Sequence, residues 1–300
     1  MDLSVDLCGV RLKNPVMNAS GTFGSGQEYS EFLDLNEMGA VVTKGVSIVP
    51  WEGNESPRIC ETPSGMLNAI GLQNPGIDTF LERDLPFLNK FDTTVIVNVC
   101  GHTEEEYIAA VERLSDVGGV DMLEINVSCP NVKAGGIAFG TDPVFLEKIT
   151  GELKKHSRQP MIMKLSPNVT SIADMARAAE AGGADGLSLI NTITGMKIDI
   201  RKRAFALANR TGGLSGPAIH PIAVRMVYEA AHAVKIPVVG MGGVSTGEDA
   251  IELLMAGASA VAVGMCSFYD PVAVVRIKNE IQAFMEGNHV DSVKDLIGAV

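Results

Sequence analysis

Eight short apolar runs recur along the chain, separated by longer amphipathic segments. The runs predict strands at 16–19, 40–44, 94–99, 122–127, 161–165, 186–190, 237–241 and 259–264. They are nearly continuous in hydrophobic residues rather than alternating, as strands covered on both faces of a parallel sheet are. The segments between them carry helix signals. Thr103 followed by three glutamates opens one helix, with acids at the positive end of its dipole. Thr141-Asp142-Pro143 opens a second, with proline in a tolerated first-turn position. An Ala-rich helix at 171–181 stops at Gly182-Gly183. Others are predicted from His220-Pro221 to about 234, at 247–256 before Gly257, and at 271–285. Strands alternating with helical crossovers predict an α/β protein, a single closed (β/α)8 barrel of the TIM type. An open doubly wound sheet is the alternative. No linker rich in Pro, Gly or Ser divides the chain, so 1–300 reads as one domain. The stretch 45–72 has no clear periodicity and is long for a connection. It reads as an inserted segment over the C-terminal face of the strands.

Composition narrows the function. With 46% hydrophobic residues in 300, the chain can bury a large core. The formal net charge is −12, aromatics are 5%, and there is one Trp, so a basic, aromatic nucleic-acid surface is not expected. An anionic substrate would need a local positive site. The five cysteines, Cys8, Cys60, Cys100, Cys129 and Cys266, are widely spaced with no C-x-x-C pair. Neither zinc nor an iron–sulfur cluster is expected on this chain. The five histidines form no metal pattern either. An odd count at wide spacing fits a reducing, cytoplasmic setting. The N-terminal residues do not read as a signal peptide, and no run of about 20 apolar residues predicts a membrane span.

The active site of such a barrel is built where the strands finish. Polar residues collect there: Ser20-Gly21, Lys44-Gly45, Asn98, Asn126, Lys164, Asn191-Thr192, Gly242-Gly243 and Gly264-Met265. Each is an ordinary strand-end residue alone. Two lysines and several asparagines at corresponding points of one ring would converge on one pocket. Glycines after the seventh and eighth strands, with a glycine-rich loop at Gly213-Leu214-Ser215-Gly216, suit close approach of backbone N–H groups to a phosphate. Cys129, in Asn126-Val127-Ser128-Cys129-Pro130-Asn131, is a candidate base at the mouth. Trp51 either anchors the insertion or meets a partner.

Together these residues resemble the dihydroorotate dehydrogenase family across nearly the whole chain. The likeness runs from Leu12-Lys13-Asn14-Pro15 and Ala19-Ser20-Gly21 through Asn68-Ala69-Ile70-Gly71-Leu72-Gln73-Asn74. It continues through Asn126-Val127-Ser128-Cys129-Pro130-Asn131 and Lys164-Leu165-Ser166-Pro167 to Gly240-Met241-Gly242-Gly243-Val244. Cysteine rather than serine as base resembles class 1, and the continuation 132–140 resembles class 1B. Class 1A, a fumarate-reducing homodimer, is the near alternative. Dihydrouridine synthases, non-redox phosphate-binding barrels and a non-catalytic scaffold subunit are more distant ones. The resemblance implies FMN, contacted by Ser20, Gly21, Lys44, Gly45, Asn98, Asn126, Lys164, Ile190, Gly216, Gly242, Gly243, Gly264 and Met265. It implies dihydroorotate or orotate on Lys44, Asn68, Ala69, Ile70, Gly71, Leu72, Asn126, Asn131, Asn191 and Thr192. Cys129 would take the C5 proton while a hydride leaves C6, and Lys164 would stabilise negative charge on the flavin. A partner subunit carrying FAD and a [2Fe–2S] cluster would pass electrons to NAD+, with a dimer of this chain inside a heterotetramer. The segment 130–140 would be a lid.

Overall fold

A computed structural model describes residues 1–127, the backbone of 133–134 and 137–138, and residues 140–300. Eight parallel strands close into a barrel. They are β1 (Val16–Asn18), β2 (Ala40–Val42), β3 (Thr94–Val99), β4 (Met122–Asn126), β5 (Met161–Lys164), β6 (Gly186–Leu189), β7 (Val238–Met241) and β8 (Ala260–Val263). Each pairs with the next in sequence, and β8 returns to β1 through Val261 opposite Val16. The closed ring excludes the open sheet. All eight lie within the predicted runs. Every residue of β4 to β8 is buried, which is why these runs do not alternate. The weakest seam is β1 to β2, where Met17 opposite Ala40 is the paired position. There the Asn18 amide continues the ladder, accepting from the Val42 N–H at 3.0 Å and donating to the Val42 carbonyl at 2.7 Å.

The outer layer holds α1 (Glu104–Ser115), α2 (Pro143–His156), α3 (Ile172–Ala181), α4 (His220–Ala231), α5 (Gly247–Met255) and α6 (Ala273–Gly287). The sequence signals operate as expected. Thr103 caps α1, Asp142 caps α2, Ser171 caps α3, and Thr246 with Asp249 forms a capping box on α5. On α1, Tyr107, Ala110, Val111 and Leu114 form the buried stripe, at the spacing of one helix face.

Four expectations need correction, and one element was missed. Helix α4 ends at Ala231, short of 234, and α6 starts at Ala273, because Pro271 and Val272 lie in the preceding turn. The stretch 45–72 is not irregular throughout. It holds strands Ile59–Thr62 and Gly65–Asn68, which join Thr211–Ser215 and Ile193–Met196 in a four-stranded antiparallel sheet. The supposed glycine-rich loop at 213–215 is therefore strand, with only Gly216 beyond its end. A helical segment at 77–88, with a π turn at Phe80–Asp84, was not predicted at all.

At the opposite end of the barrel a hairpin of Val5–Leu7 and Val10–Leu12 packs across the strand starts. Cys8, in its turn, donates to the Asp185 carbonyl just before β6, and Leu7 and Leu12 are wholly buried. The hairpin thus covers part of this end, opposite the C-terminal ends of the strands. Among the described residues, no helix is long and apolar enough to cross a membrane.

Candidate active site

At those C-terminal ends the barrel buries charge. Lys164 closes β5, Glu124 lies two residues before the end of β4, Asn98 is in β3 and Ser188 in β6; none is more than 4% exposed. The parallel register makes Asn98 the neighbour of Glu124, and Ser188 the neighbour of Lys164. Glu124 Oε1 accepts from Asn98 Nδ2 at 2.6 Å and Lys164 Nζ at 3.2 Å, while Oε2 accepts from Ser188 Oγ at 2.8 Å. Lys164 Nζ also donates to Ser20 Oγ at 3.1 Å, tying β5 to the turn after β1. A buried ion pair is tolerable only when its remaining donors and acceptors are met. Here one acceptor is not: Asn98 Oδ1 has no partner among the described residues. A buried orphan of this kind costs about 1–3 kcal/mol, which a ligand donor would remove. A side chain at position 45 would stand 3.2 Å from that oxygen, so Gly45 leaves the space open.

Lys44, just before Gly45 at the start of the loop after β2, makes no ion pair among the described residues. Burial holds its ammonium below the usual lysine range, Cys100 opposes that shift, and the charges of Arg58 and Lys164 add to it. A largely buried lysine with no counter-charge among the described residues suits an anion. Asn126 is buried beside Lys164 in register, and its carbonyl accepts from Tyr107 Oη at 2.7 Å.

The second feature is a glycine cradle between β6, β7 and β8. Gly243 has φ +72°, and a Cβ there would lie 2.8 Å from both the Gly216 carbonyl oxygen and His220 Cβ, so only glycine fits. The ring of His220 links Gly242 O at 2.8 Å to Glu252 Oε2 at 3.1 Å, bracing the loop from behind. Ile190 packs at Gly242, and Met265, opening the turn after Gly264, packs at Gly216. The N-terminus of α4 enters this cradle and no side chain caps it, unlike α1, α2, α3 and α5. Uncapped N–H groups beside close-approach glycines suit a phosphate.

The inserted sheet forms the rim. Asn68 Nδ2 donates to the Gly213 carbonyl at 3.3 Å, and a Cβ on Gly213 would fall 1.9 Å from Thr192 Oγ1. Asn68 and Thr192 thus both lie against Gly213. Asn191 Oδ1 accepts from the Thr192 N–H at 2.7 Å. Residues 69–72 turn back through left-handed Gly71 and Leu72, with the Ile70 carbonyl bonded to the Asn54 N–H at 3.0 Å. Trp51 pairs with Asn74 and stacks on His102 with 3.8 Å between ring centres, which anchors the insertion to the start of α1. Gly21 follows Ser20 in an exposed turn and touches nothing that a side chain would displace. Cys129 and Asn131 lie outside the described residues, as do most of those proposed as a lid.

Sequence reading missed Glu124, Ser188 and His220. Glu124 left a signal: it is the sole charged residue in the run 122–126, and a carboxylate inside a strand covered on both faces needs partners. Ser188 and His220 left none, since a serine in a strand and a histidine before a proline are unremarkable.

A closed parallel barrel with an ammonium, amides and a carboxylate at its strand ends, beside an anion cradle, defines a barrel enzyme for a small polar ligand. The particular family follows from comparison. Residues 2–285 match the family model described as dihydroorotate dehydrogenase, and the chain belongs to that family, an oxidoreductase family of pyrimidine biosynthesis. It is 63% identical, over all of both chains, to the dihydroorotate dehydrogenase B (NAD(+)), catalytic subunit, of Lachnoclostridium phytofermentans. It is 56% identical to the protein of the same name from Alkaliphilus metalliredigens, over 100% of this chain and 99% of that one. A crystal structure of DHODH in complex with ferulenol from Eimeria tenella superposes with a TM-score of 0.81 at 24% identity, covering 99% of this chain and 88% of the other. At that identity it supports the fold.

Proposed function

We propose that the chain oxidises dihydroorotate to orotate, as a single-domain catalytic subunit of a class 1B dihydroorotate dehydrogenase that works with NAD+ through an electron-transfer subunit. The observation that carries this reading is the buried cluster in which Asn98 Oδ1 stands open beside Lys164 and Lys44. The residues fit FMN. The cradle of Gly216, Gly242, Gly243 and Gly264, with Ile190 and Met265, would hold its phosphate side; Ser20, Gly21, Lys44, Gly45, Asn98, Asn126 and Lys164 would hold the rest. FMN bound there supplies the acceptor for the substrate's hydride.

The chain's own residues do the remaining work. Lys44 offers a positive charge to the substrate carboxylate. Asn68, Asn126, Asn131 and Asn191 offer both donors and acceptors to the imide edge, and Thr192 with residues 69–72 completes the rim. Cys129 removes the C5 proton as general base. Lys164 fixes a positive charge in the pocket, which favours negative charge developing on the bound group. FAD and a [2Fe–2S] cluster are assigned to the partner subunit, and a homodimer of this chain to the centre of a heterotetramer in the cytoplasm. The names of the relatives, each a catalytic subunit of an NAD(+) enzyme, support this over fumarate reduction.

The test is anaerobic. The purified chain should be yellow, stay oxidised with NADH, bleach on adding dihydroorotate, and then stay bleached when fumarate is added. A yellow protein untouched by dihydroorotate would overturn the substrate; reoxidation by fumarate would move the assignment to class 1A. Cys129→Ala should retain FMN and slow bleaching about 10²- to 10⁴-fold. Unchanged kinetics would remove Cys129 as the base.

A further inference from the structure

Glu124 is the charged member of the buried cluster to which the reaction outlined above gives no task. Its carboxylate draws donors from three other strands: Asn98 of β3, Lys164 of β5 and Ser188 of β6. An ionised carboxylate only accepts hydrogen bonds. Asn98 must therefore turn its amide NH2 toward Glu124, and its Oδ1 is the end left without a partner. The same Oε1 that orders Asn98 holds the Lys164 ammonium, and both charges are almost wholly shielded from water. In such a place a charge acts strongly on its neighbours.

We propose that Glu124 is the positioning residue of the cofactor pocket: it orients the Asn98 amide and the Lys164 ammonium, and its negative charge offsets that of Lys164 and so sets how readily the bound flavin accepts electrons. This rests on the reading that the pocket holds FMN.

Glu124→Gln keeps the shape and an acceptor for Asn98 and Lys164, and its amide can donate to Ser188, but the negative charge is gone. The uncompensated ammonium then favours the reduced flavin. Ser188→Ala keeps both charges and strips one donor from the carboxylate, so it acts in the opposite direction and more weakly. Glu124→Asp restores the charge. The experiment measures the two-electron midpoint potential of each purified flavoprotein against an indicator dye during chemical reduction, with melting temperature alongside.

The expected result for Glu124→Gln is a preference for reduced over oxidised FMN about tenfold greater than in the parent, or about 30 mV upward. Ser188→Ala should move the potential down, and Glu124→Asp should bring it back toward the parent value. Potentials unchanged in all three, or Glu124→Gln and Ser188→Ala shifting in the same direction, would overturn the proposal, as would a change in melting temperature alone. If Glu124→Gln does not fold, the downward shift in Ser188→Ala decides the matter, and its absence overturns the proposal. The titration uses no dihydroorotate. Failure of the parent protein to bleach with that substrate therefore counts against the proposed function, separately from the signs of these shifts.

Discussion

Lys44 is the residue through which the proposed substrate would couple most directly to the fold. Burial lowers its folded-state value below the ordinary 10.5. As pH rises, the folded chain releases this proton before the unfolded chain does. In the window just below 10.5 the unfolded state binds more protons, so stability rises with pH there, and below the window the full cost of burying the charge is present. An anion bound beside Lys44 would offset that cost. Orotate affinity should consequently fall as pH climbs through that window, measured by calorimetry or by flavin absorbance. Lys44→Met should weaken orotate about 10- to 100-fold, the worth of a hydrogen bond to a charged group, and should abolish the pH dependence. A Lys44→Met protein with the parent's pH profile would remove Lys44 from the carboxylate. That Lys44 stands at the strand ends was legible in the sequence because a lysine ending an apolar run is conspicuous. That it lacks a counter-ion was not, since this depends on Glu124 being committed to Lys164 across the ring.

At the scale of elements, the cradle depends on backbone conformation that no other residue supplies. Gly243→Ala would put a methyl into the Gly216 carbonyl and His220 at a left-handed φ. The loop would have to move away from the N-terminus of α4, although β7 itself is untouched. FMN affinity should drop more than about tenfold, since a single poorly placed charge-assisted contact is worth that much, with the far-ultraviolet circular dichroism unchanged. Parent-like FMN binding would place the phosphate elsewhere. The barrel strands behind this loop were legible because burial on both faces removes alternation and leaves an apolar run. The inserted sheet was not. In Ile59–Thr62 the exposure alternates, and Thr211–Ser215 contains two glycines, which are depleted from strands and read as loop. Its pairing of Gly213 with Asn68 spans 145 residues, and no local pattern reports so distant a partner. The helical segment at 77–88 was hidden by Pro86 and by a π turn that breaks the 3.6-residue period.

For the whole molecule, ring closure makes the site and the fold interdependent. Proposed FMN contacts come from the ends or following loops of all eight strands, and the ring has a weak seam at β1 to β2, where Met17 opposite Ala40 is the paired position. Ser20, just after β1, is bonded to Lys164 at the end of β5 on the far side of the barrel. A ligand spanning these groups binds the closed ring and not the opened one, so it stabilises folding by mass action. At FMN a hundredfold above its dissociation constant the gain is about 2.7 kcal/mol, which for a chain of this size raises the melting temperature by about 5 °C. The increment should grow logarithmically with FMN concentration in a calorimetric scan of the apoprotein. It should shrink in Gly243→Ala, because the cradle rather than the ring is then damaged. It should persist in Cys129→Ala, because the base is expected to touch substrate rather than FMN. A melting temperature indifferent to FMN would mean that the strand-end groups do not act together on one ligand, and the convergence first suggested by lysines and asparagines at the ends of apolar runs would have no functional meaning.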